Sequence, residues 1–535
     1  MNRPHTLPSG GAVAARADAY ATAPLLNCLI REIAEPLRDE DEQGTDRGPG
    51  RRTYRLPGSG RLLRVRDGRR PAEPEVHAAG AWRRVGHPEL VKLVAEELHR
   101  HTGTGNDELP AEMIDSRYAV AALLTARARA TAPEDPYLRS EQSLITGHPY
   151  HPAPKARGGG PVAAWLPYAP EAHARFPLVL LAVREDTVRE EGDTSALDTL
   201  GGAPPGYRLL PAHPWQLDLA ARGLAAAFAD GRLVRLGTTA SPVWPTAAVR
   251  TVYAPRDDLF LKFSLDVRIT NDVRRLWRHD LLRLRRTDAA AAAALGTPGT
   301  SRTPGTPGAP DARPAAWLSD RGYRTAAFAF EELAVVVRDG LRAHLPPGAT
   351  PLLAAGLAEG FDGSPLEDGS PLDGGGRAVE GRAAADVWWQ AYLRQVVPPV
   401  LAAFAEHGVV LEAHLQNTLI AVDGDGLPVR ALFRDAEGVK LLGDVTRAAG
   451  WERLVYCLVV NNLMEIAGVL AERHPGFDPW PAARRELARR DDLPETAGLL
   501  GGEALPGKTN LLLRWTGADG ADARYLGVPN PLGAR

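Results

Sequence analysis

Residues 147–159 read Gly147-His148-Pro149-Tyr150-His151-Pro152-Ala153-Pro154-Lys155-Ala156-Arg157-Gly158-Gly159. Two imidazoles, an ammonium and a guanidinium share a loop whose prolines exclude a regular helix and fix the backbone. That composition suits an anion, and the glycines after Arg157 let a phosphate approach the main chain. A second cation series runs through Arg250-Thr251, Lys262 and Arg274. Alternation over 259–265 predicts a strand with Lys262 and Ser264 on one face, so Lys262 sits at a sheet edge or faces a cleft. Thr270-Asn271-Asp272 predicts a helix start with Val273, Leu276, Trp277 and Leu281 on one face. Arg274 then falls in the first turn, a poor place for a cation unless an anion binds there. A third cluster, Glu412-Ala413-His414-Leu415-Gln416-Asn417, precedes two β-rich runs joined by Asp423-Gly424-Asp425-Gly426. The turn predicts a hairpin, and pairing its strands brings His414 and Asn417 beside Arg434 and Asp435. Side-chain oxygens of Asn and Asp at such an end suit a Mg²⁺ that carries nucleotide phosphates, as in protein kinases.

The elements that must position these groups belong to a chain of 535 residues, 44% hydrophobic, which is enough for two to four domains. With Lys+Arg 63 against Asp+Glu 66 and a net charge of −3, nothing global favours nucleic acid or an anionic membrane. Cys28 and Cys457 lie in apolar contexts and read as buried free thiols, against a disulfide framework or a thiolate-bound zinc. No charged-then-apolar leader and no apolar run of 18 residues occurs, which reads as cytoplasmic. Periodicity predicts a mostly helical region over the first 135 residues, with helices at 21–37, 87–99 and 114–130 and a mobile loop at 39–60. Strand signals begin at 162, as at 177–183 and 208–211. Residues 289–314 read as a disordered insertion and 359–381 as a flexible loop, followed by helices at 383–406 and 455–470.

In order along the chain, the HPxHPxxK loop, His213-Pro214-Trp215-Gln216, Arg250-Thr251 with Lys262 and Arg274, Glu412 to Asn417, and Arg434-Asp435 resemble the IucA/IucC family. These are the NRPS-independent siderophore (NIS) synthetases. The resemblance runs from about Asn27 to Lys508 and Asn530-Pro531-Leu532. It implies an α+β, cupped-hand architecture: a helical thumb over 1–135, fingers with an antiparallel sheet over 136–358, and a palm with a kinase-like hairpin over 359–535. It also implies ATP-dependent adenylation of a carboxylate, citrate or a citrate or succinyl derivative, then attack by an amine or hydroxyl, with ATP and Mg²⁺ as cofactors and AMP and pyrophosphate released. Carried onto matching positions, it gives His148, Lys155, Arg274 and His414 catalytic roles. Arg157, Arg250, Thr251, Lys262, Thr270, Asn271, Asn417 and Asp435 would hold the nucleotide. Asn417, Asp435 and Glu412 would hold the metal, and His414 and Lys508 the carboxylate. Members of the family often form homodimers.

One departure from the family pattern is Ala248, where many relatives carry serine two residues before the arginine; Thr246 is a candidate replacement. Three alternatives stay open. A small-molecule kinase could use Lys262, Asn417 and Asp435, releasing ADP. A metal site of His148, His151, His213 and His414 is disfavoured, because proline follows the first three directly and no zinc-like spacing is present. The third is a catalytically altered or silent relative, for which Ala248 is the hint.

Overall fold

The computed structural model describes residues 10–37, 50–158, 160–296, 315–367, 378–518 and 525–533. The helices Gly10–Glu32, His87–Thr102 and Glu108–Arg127 pack on one another. Between the first two lies an antiparallel meander of five strands: Glu35–Pro36, Arg51–Arg55, Leu62–Arg66, Ala72–Ala78 and Ala81–Arg84. The amino-terminal region is therefore not simply helical, and residues 51–60 of the expected mobile loop form a strand and turn. One face of these strands buries Tyr54, Leu63, Val65 and Val76, while the other carries Arg51 and Arg64 paired with Glu73 and Glu75. The many arginines conceal a period of two. The first helix also begins earlier than expected and ends at Glu32. Its core is completed from the far end of the chain by Leu511 and Trp515, and the Glu32 carboxylate accepts the Leu511 and Leu512 amides at 2.9 and 2.8 Å.

The central sheet has six antiparallel strands in the order Trp244–Pro245, Thr251–Ala254, Leu259–Phe263, Val335–Asp339, Asp320–Ala326 and Val188–Gly192. Lys262 is flanked by Thr251 on one side and Val336 on the other, so it lies inside the sheet and faces a cleft rather than solvent at an edge. A three-stranded sheet centred on Val179–Arg184 stands beside it. No helix starts at Thr270. Arg268–Ile269 and Asp272–Val273 form a tight hairpin with Thr270 at φ +60°, and the helix begins at Arg278. The amides are committed to strand-like pairing: Leu265 N donates to Arg274 O at 2.8 Å and Arg274 N to Val267 O at 3.0 Å. The alanine tract expected to be disordered belongs to this helix, Arg278–Leu295, because alanine has the highest helix propensity. Residues 297–314 lie outside the described residues.

A third sheet orders Ala315–Leu318, Pro428–Arg434, Thr418–Val422 and Thr350–Leu353, and its first pair is parallel. It packs on the helix Ala378–His407, which buries Trp388, Trp389, Tyr392 and Phe404 and starts before the expected 383. One hydrophobic core runs from Leu276 to Leu532, so the helix Arg278–Leu295 and the strand Ala315–Leu318 pack with the carboxy-terminal part, across the boundary expected at 358/359. The hydrogen bonds from 315–318 to 431–434 explain this. Residues 360–367 of the expected flexible loop are anchored by buried Phe361 and Leu366; 368–377 lie outside the described residues. The helical rod Arg447–Arg473 is π-helical over Tyr456–Leu463. It is the one helix among the described residues long and apolar enough to cross a membrane, and most of it is buried inside the molecule.

Candidate active site

The expected hairpin is present. Thr418 pairs with Phe433, and Arg434 N donates to Asn417 O at 3.2 Å, so the outer ends of the two strands meet. The chain turns at Asp435 through φ +85° and aims its carboxylate at the central sheet. Asp435 Oδ1 accepts from Lys262 Nζ at 2.5 Å and from Arg338 Nη2 at 3.1 Å. Lys262 also meets Glu437 at 2.7 Å, and Arg250 meets Glu437 at 3.1 Å. Arg338 grips buried Asp320 with two bonds, of 2.7 and 3.1 Å, and Asp320 in turn accepts the Ala436 amide at 2.9 Å. Burial alone would raise the Asp435 carboxyl, but Lys262 and Arg338 outweigh it and hold it well below its usual range. The same contest, with Lys262 and Arg250 winning, brings Glu437 down to about 2. The Asn417 side chain is buried and makes no hydrogen bond to the protein among the described residues.

Arg250 also donates to the carbonyls of Arg274 and Arg275 at 3.0 and 3.2 Å, which ties the second cluster together. Thr251 is a buried strand residue whose carbonyl receives both the Thr246 amide and hydroxyl at 2.9 Å. The Thr246 hydroxyl is thus occupied and does not replace the one missing at Ala248.

Next to this phosphate-like cradle lies a second group of cations with a different balance. Arg274 donates to Ile269 O at 2.7 Å and to Thr270 Oγ1 at 2.6 Å and has no carboxylate partner among the described residues. Lys508 has no ion pair there either. Arg31 stacks 3.2 Å over the Tyr150 ring with a buried, unpartnered Nη1. His148 sits in the field of His414, Lys508, Arg31 and Arg274, and burial first, then these groups, push its pKa down to about 3. Its Nδ1 accepts the Tyr150 amide at 3.1 Å, so the neutral ring carries its proton on Nε2. His414 repeats this arrangement with the Gln416 amide at 3.2 Å, and its pKa is lowered chiefly by burial. Burial lowers Arg274 and Lys508 too. Asn271 donates to Asn510 Oδ1 at 2.9 Å and keeps a buried, unpartnered Oδ1.

Some expected residues are not in the cleft. Lys155 and Arg157 are buried and share the carboxylate of Glu171, Arg157 at 2.9 Å. Burial raises Glu171, but the two cations bring it down to about 2. They brace the loop from behind rather than meet a phosphate. His213 is a core residue, its ring 5.0–6.1 Å from those of Tyr168, Phe176 and Phe263. Glu412 is ion-paired with Arg453 and lies over Gly438; the acid beside Asp435 is Glu437, whose position two residues further on is its only mark in the sequence. Among the described residues no group of three or more His, Cys, Asp or Glu is arranged to hold a metal ion.

A model of the IucA / IucC family matches residues 136–359. The L-2,3-diaminopropanoate–citrate ligase of Staphylococcus aureus is 29% identical over 444 residues, 75% of each chain. The rhizobactin siderophore biosynthesis protein RhbC of Rhizobium meliloti is 28% identical over 95% of this chain and 96% of its own. The chain is thus similar to IucA/IucC proteins over most of its length. Among solved structures, ATP-bound aerobactin synthetase IucA from Klebsiella pneumoniae superposes with a TM-score of 0.77 at 22% identity, covering 96% of this chain and 100% of that one. Petrobactin biosynthesis protein AsbB from Bacillus anthracis gives 0.75 at 17% identity, over 97% and 96%. These likenesses show a shared α+β fold. A second model, described as a ferric iron reductase FhuF-like transporter, matches residues 386–523. The cleft is built from both matched segments: His148, Arg250, Lys262 and Arg274 from the first, His414, Asn417, Asp435 and Lys508 from the second.

Proposed function

We propose that this protein is an ATP-dependent siderophore synthetase that adenylates a carboxylate of citrate, or of a citrate or succinyl derivative, and condenses it with an amine or hydroxyl. The observation that carries this is the meeting of two unlike cation groups at Arg274: Arg250, Lys262 and Arg338 in ion pairs with carboxylates, and Arg31, Arg274 and Lys508 in none among the described residues. The first suits phosphates, the second a free polycarboxylate held by charge and by neutral imidazole N–H groups. Relatives named as citrate ligases support the choice.

In this proposal a substrate carboxylate oxygen attacks the α-phosphorus, forming the acyl-adenylate and releasing pyrophosphate. The amine or hydroxyl then attacks the acyl carbon, loses its proton and displaces AMP. Arg274 borders both groups and neutralises charge on the transferred phosphate. His148 and His414 donate from Nε2 and orient the carboxylate. Asp435 and Glu437, whose carboxylates meet at Lys262, with Asn417 from the same hairpin end, would supply hard oxygen donors of the kind that suits Mg²⁺, were Lys262 to turn to phosphate. The ion would neutralise the phosphates and orient the leaving pyrophosphate. Incubating the protein with ATP, Mg²⁺, citrate and hydroxylamine should yield AMP, pyrophosphate and a citryl hydroxamate identified by mass. ADP with phosphate would favour the kinase alternative, and no turnover across a panel of di- and tricarboxylates would refute the synthetase.

A further inference from the structure

The turn that carries His414 and Asn417 is held by the π-helical stretch Tyr456–Leu463, which no step above uses. Asn462, fully buried in that stretch, donates from Nδ2 to Ala413 O at 2.8 Å and to Thr418 Oγ1 at 3.2 Å. Its Oδ1 accepts from Tyr392 OH at 2.6 Å, so every polar atom of the side chain has a partner. Thr418 Oγ1 passes the restraint on, donating to His414 O at 3.0 Å. The neighbouring Asn461 carbonyl accepts the Leu415 amide at 3.1 Å. One pair of consecutive asparagines therefore grips residues 413, 415 and 418, on both sides of His414 and Asn417. An α-helix turns about 100° per residue and points neighbours apart; in this π stretch the main chain of Asn461 and the side chain of Asn462 both reach one loop.

We infer that Asn462 is a positioning residue, and that the π stretch exists to lock the 413–418 turn so that the His414 imidazole and the Asn417 amide keep their places in the cleft. The catalytic part of this inference rests on the synthetase reading; the positioning part does not. A loop displaced by about 1 Å from a productive geometry loses about 100-fold in rate. Free side chains on a turn would wander by that much, whereas a turn clamped at both ends from a buried helix does not.

The test compares three variants of the full chain. Asn462→Ala removes the clamp at the helix, and Thr418→Val removes its link to His414 without changing shape, which keeps the test open if the first variant fails to fold. Tyr392→Phe removes a hydrogen bond from the same buried network but leaves both donors to the loop, and serves as the structural control. With histidine labelled at ¹³Cε1 and the His414 signal assigned from His414→Gln, that signal should move in the first two variants and stay in the third. The kcat for AMP release should fall about 10- to 100-fold in the first two, with KM for ATP changed less than about threefold, and by less than about twofold in Tyr392→Phe. An unmoved His414 signal in both Asn462→Ala and Thr418→Val, or kcat losses no larger than that of Tyr392→Phe, would overturn the inference. A wild-type protein that releases no AMP would refute the synthetase reading, while the NMR signal still decides the positioning role.

Discussion

Replacing Lys262 by methionine keeps an unbranched stem in the central strand and deletes one ammonium. In the structure that buried ammonium serves two half-buried carboxylates, Asp435 and Glu437. Removing one side of a buried ion pair costs about 3–5 kcal/mol, because the stranded charge stays buried. Here neither acid is stranded alone: Asp435 keeps Arg338 and Glu437 keeps Arg250, each at 3.1 Å. The loss should therefore lie below that range, at about 2–3 kcal/mol, measured by urea unfolding at pH 7. Its pH dependence follows from Glu437, whose pKa falls from 4.5 to about 2 on folding. A depressed carboxylate stabilises the fold above its unfolded pKa and loses that contribution as pH falls through the folded one. The gap between wild type and variant should accordingly be full at pH 7 and close between about pH 4.5 and 2. Adding Glu437→Gln to Lys262→Met removes the surplus charge and should recover at least about 1 kcal/mol. It should not restore pyrophosphate release, which falls about 100- to 1000-fold in both variants with the loss of a phosphate donor. A double variant no more stable than the single one would refute the charge-balance account, and near-normal pyrophosphate release from Lys262→Met would refute the nucleotide site.

Glu141, fully buried, joins three parts of the cleft: it accepts from Tyr137 OH at 2.7 Å and Ala247 N at 2.9 Å and pairs with Arg434 at 2.6 Å. Glu141→Gln leaves Arg434 without its counter-charge and should cost about 3 kcal/mol in urea unfolding, with a raised KM for ATP as the 246–250 loop loosens. Burial raises Glu32 from 4.5 to about 7 despite its bonds to the Leu511 and Leu512 amides. Stability should thus decline as pH rises from about 4.5 through 7, and Glu32→Gln should flatten that limb in thermal melts. His148, with its pKa lowered from 6.5 to about 3, should show no titration of its ¹³C signal between pH 8 and 5. Its depressed pKa favours the fold above pH 6.5 and loses that contribution as pH falls towards 3, so His148→Gln should shrink the acid limb of stability.

What was legible in the sequence had a local code. Asp423-Gly424-Asp425-Gly426 sets a hairpin, and the hairpin alone brings Asn417 to Arg434. Alternation around Lys262 gives its face, although only the strand Val335–Asp339, about 75 residues on, makes it interior. Where pairing is decided at a distance, local signals mislead. Thr270-Asn271-Asp272 has the composition of a helix cap, yet the Arg274 amide donates to Val267 O and the Arg274 carbonyl accepts from Leu265 N. Lys155 and Arg157 have the composition of a phosphate loop, but Glu171 pairs with both of them from outside the motif. Glu437 carries no signal beyond its nearness to Asp435, and the grip of Asn462 on the His414 turn depends on a π geometry that the periodicity of the helix does not announce.

The two halves of the cleft stand in different electrostatic states, and the difference bears on how substrates enter. On the side proposed for the carboxylate, Arg274 and Lys508 are in no direct ion pair among the described residues and feel acids such as Asp272 only at longer range, so burial outweighs them and lowers both. On the synthetase reading a polycarboxylate would make ion pairs there and break none, so its charge would offset a desolvation cost already incurred in folding. On the nucleotide side, Lys262 and Arg250 are already satisfied by Asp435 and Glu437. Phosphate oxygens must take these cations over, and the exchange leaves two carboxylates that would repel the phosphates. If a divalent cation were bound with the nucleotide, Asp435 and Glu437 would be the residues to hold it, and it would supply the positive charge that the lysine gives up. The acids at the hairpin end thus serve two purposes on the synthetase reading: they keep the cradle neutral while it is empty, and they make nucleotide entry depend on the metal, whereas the carboxylate side needs only the charge of its substrate.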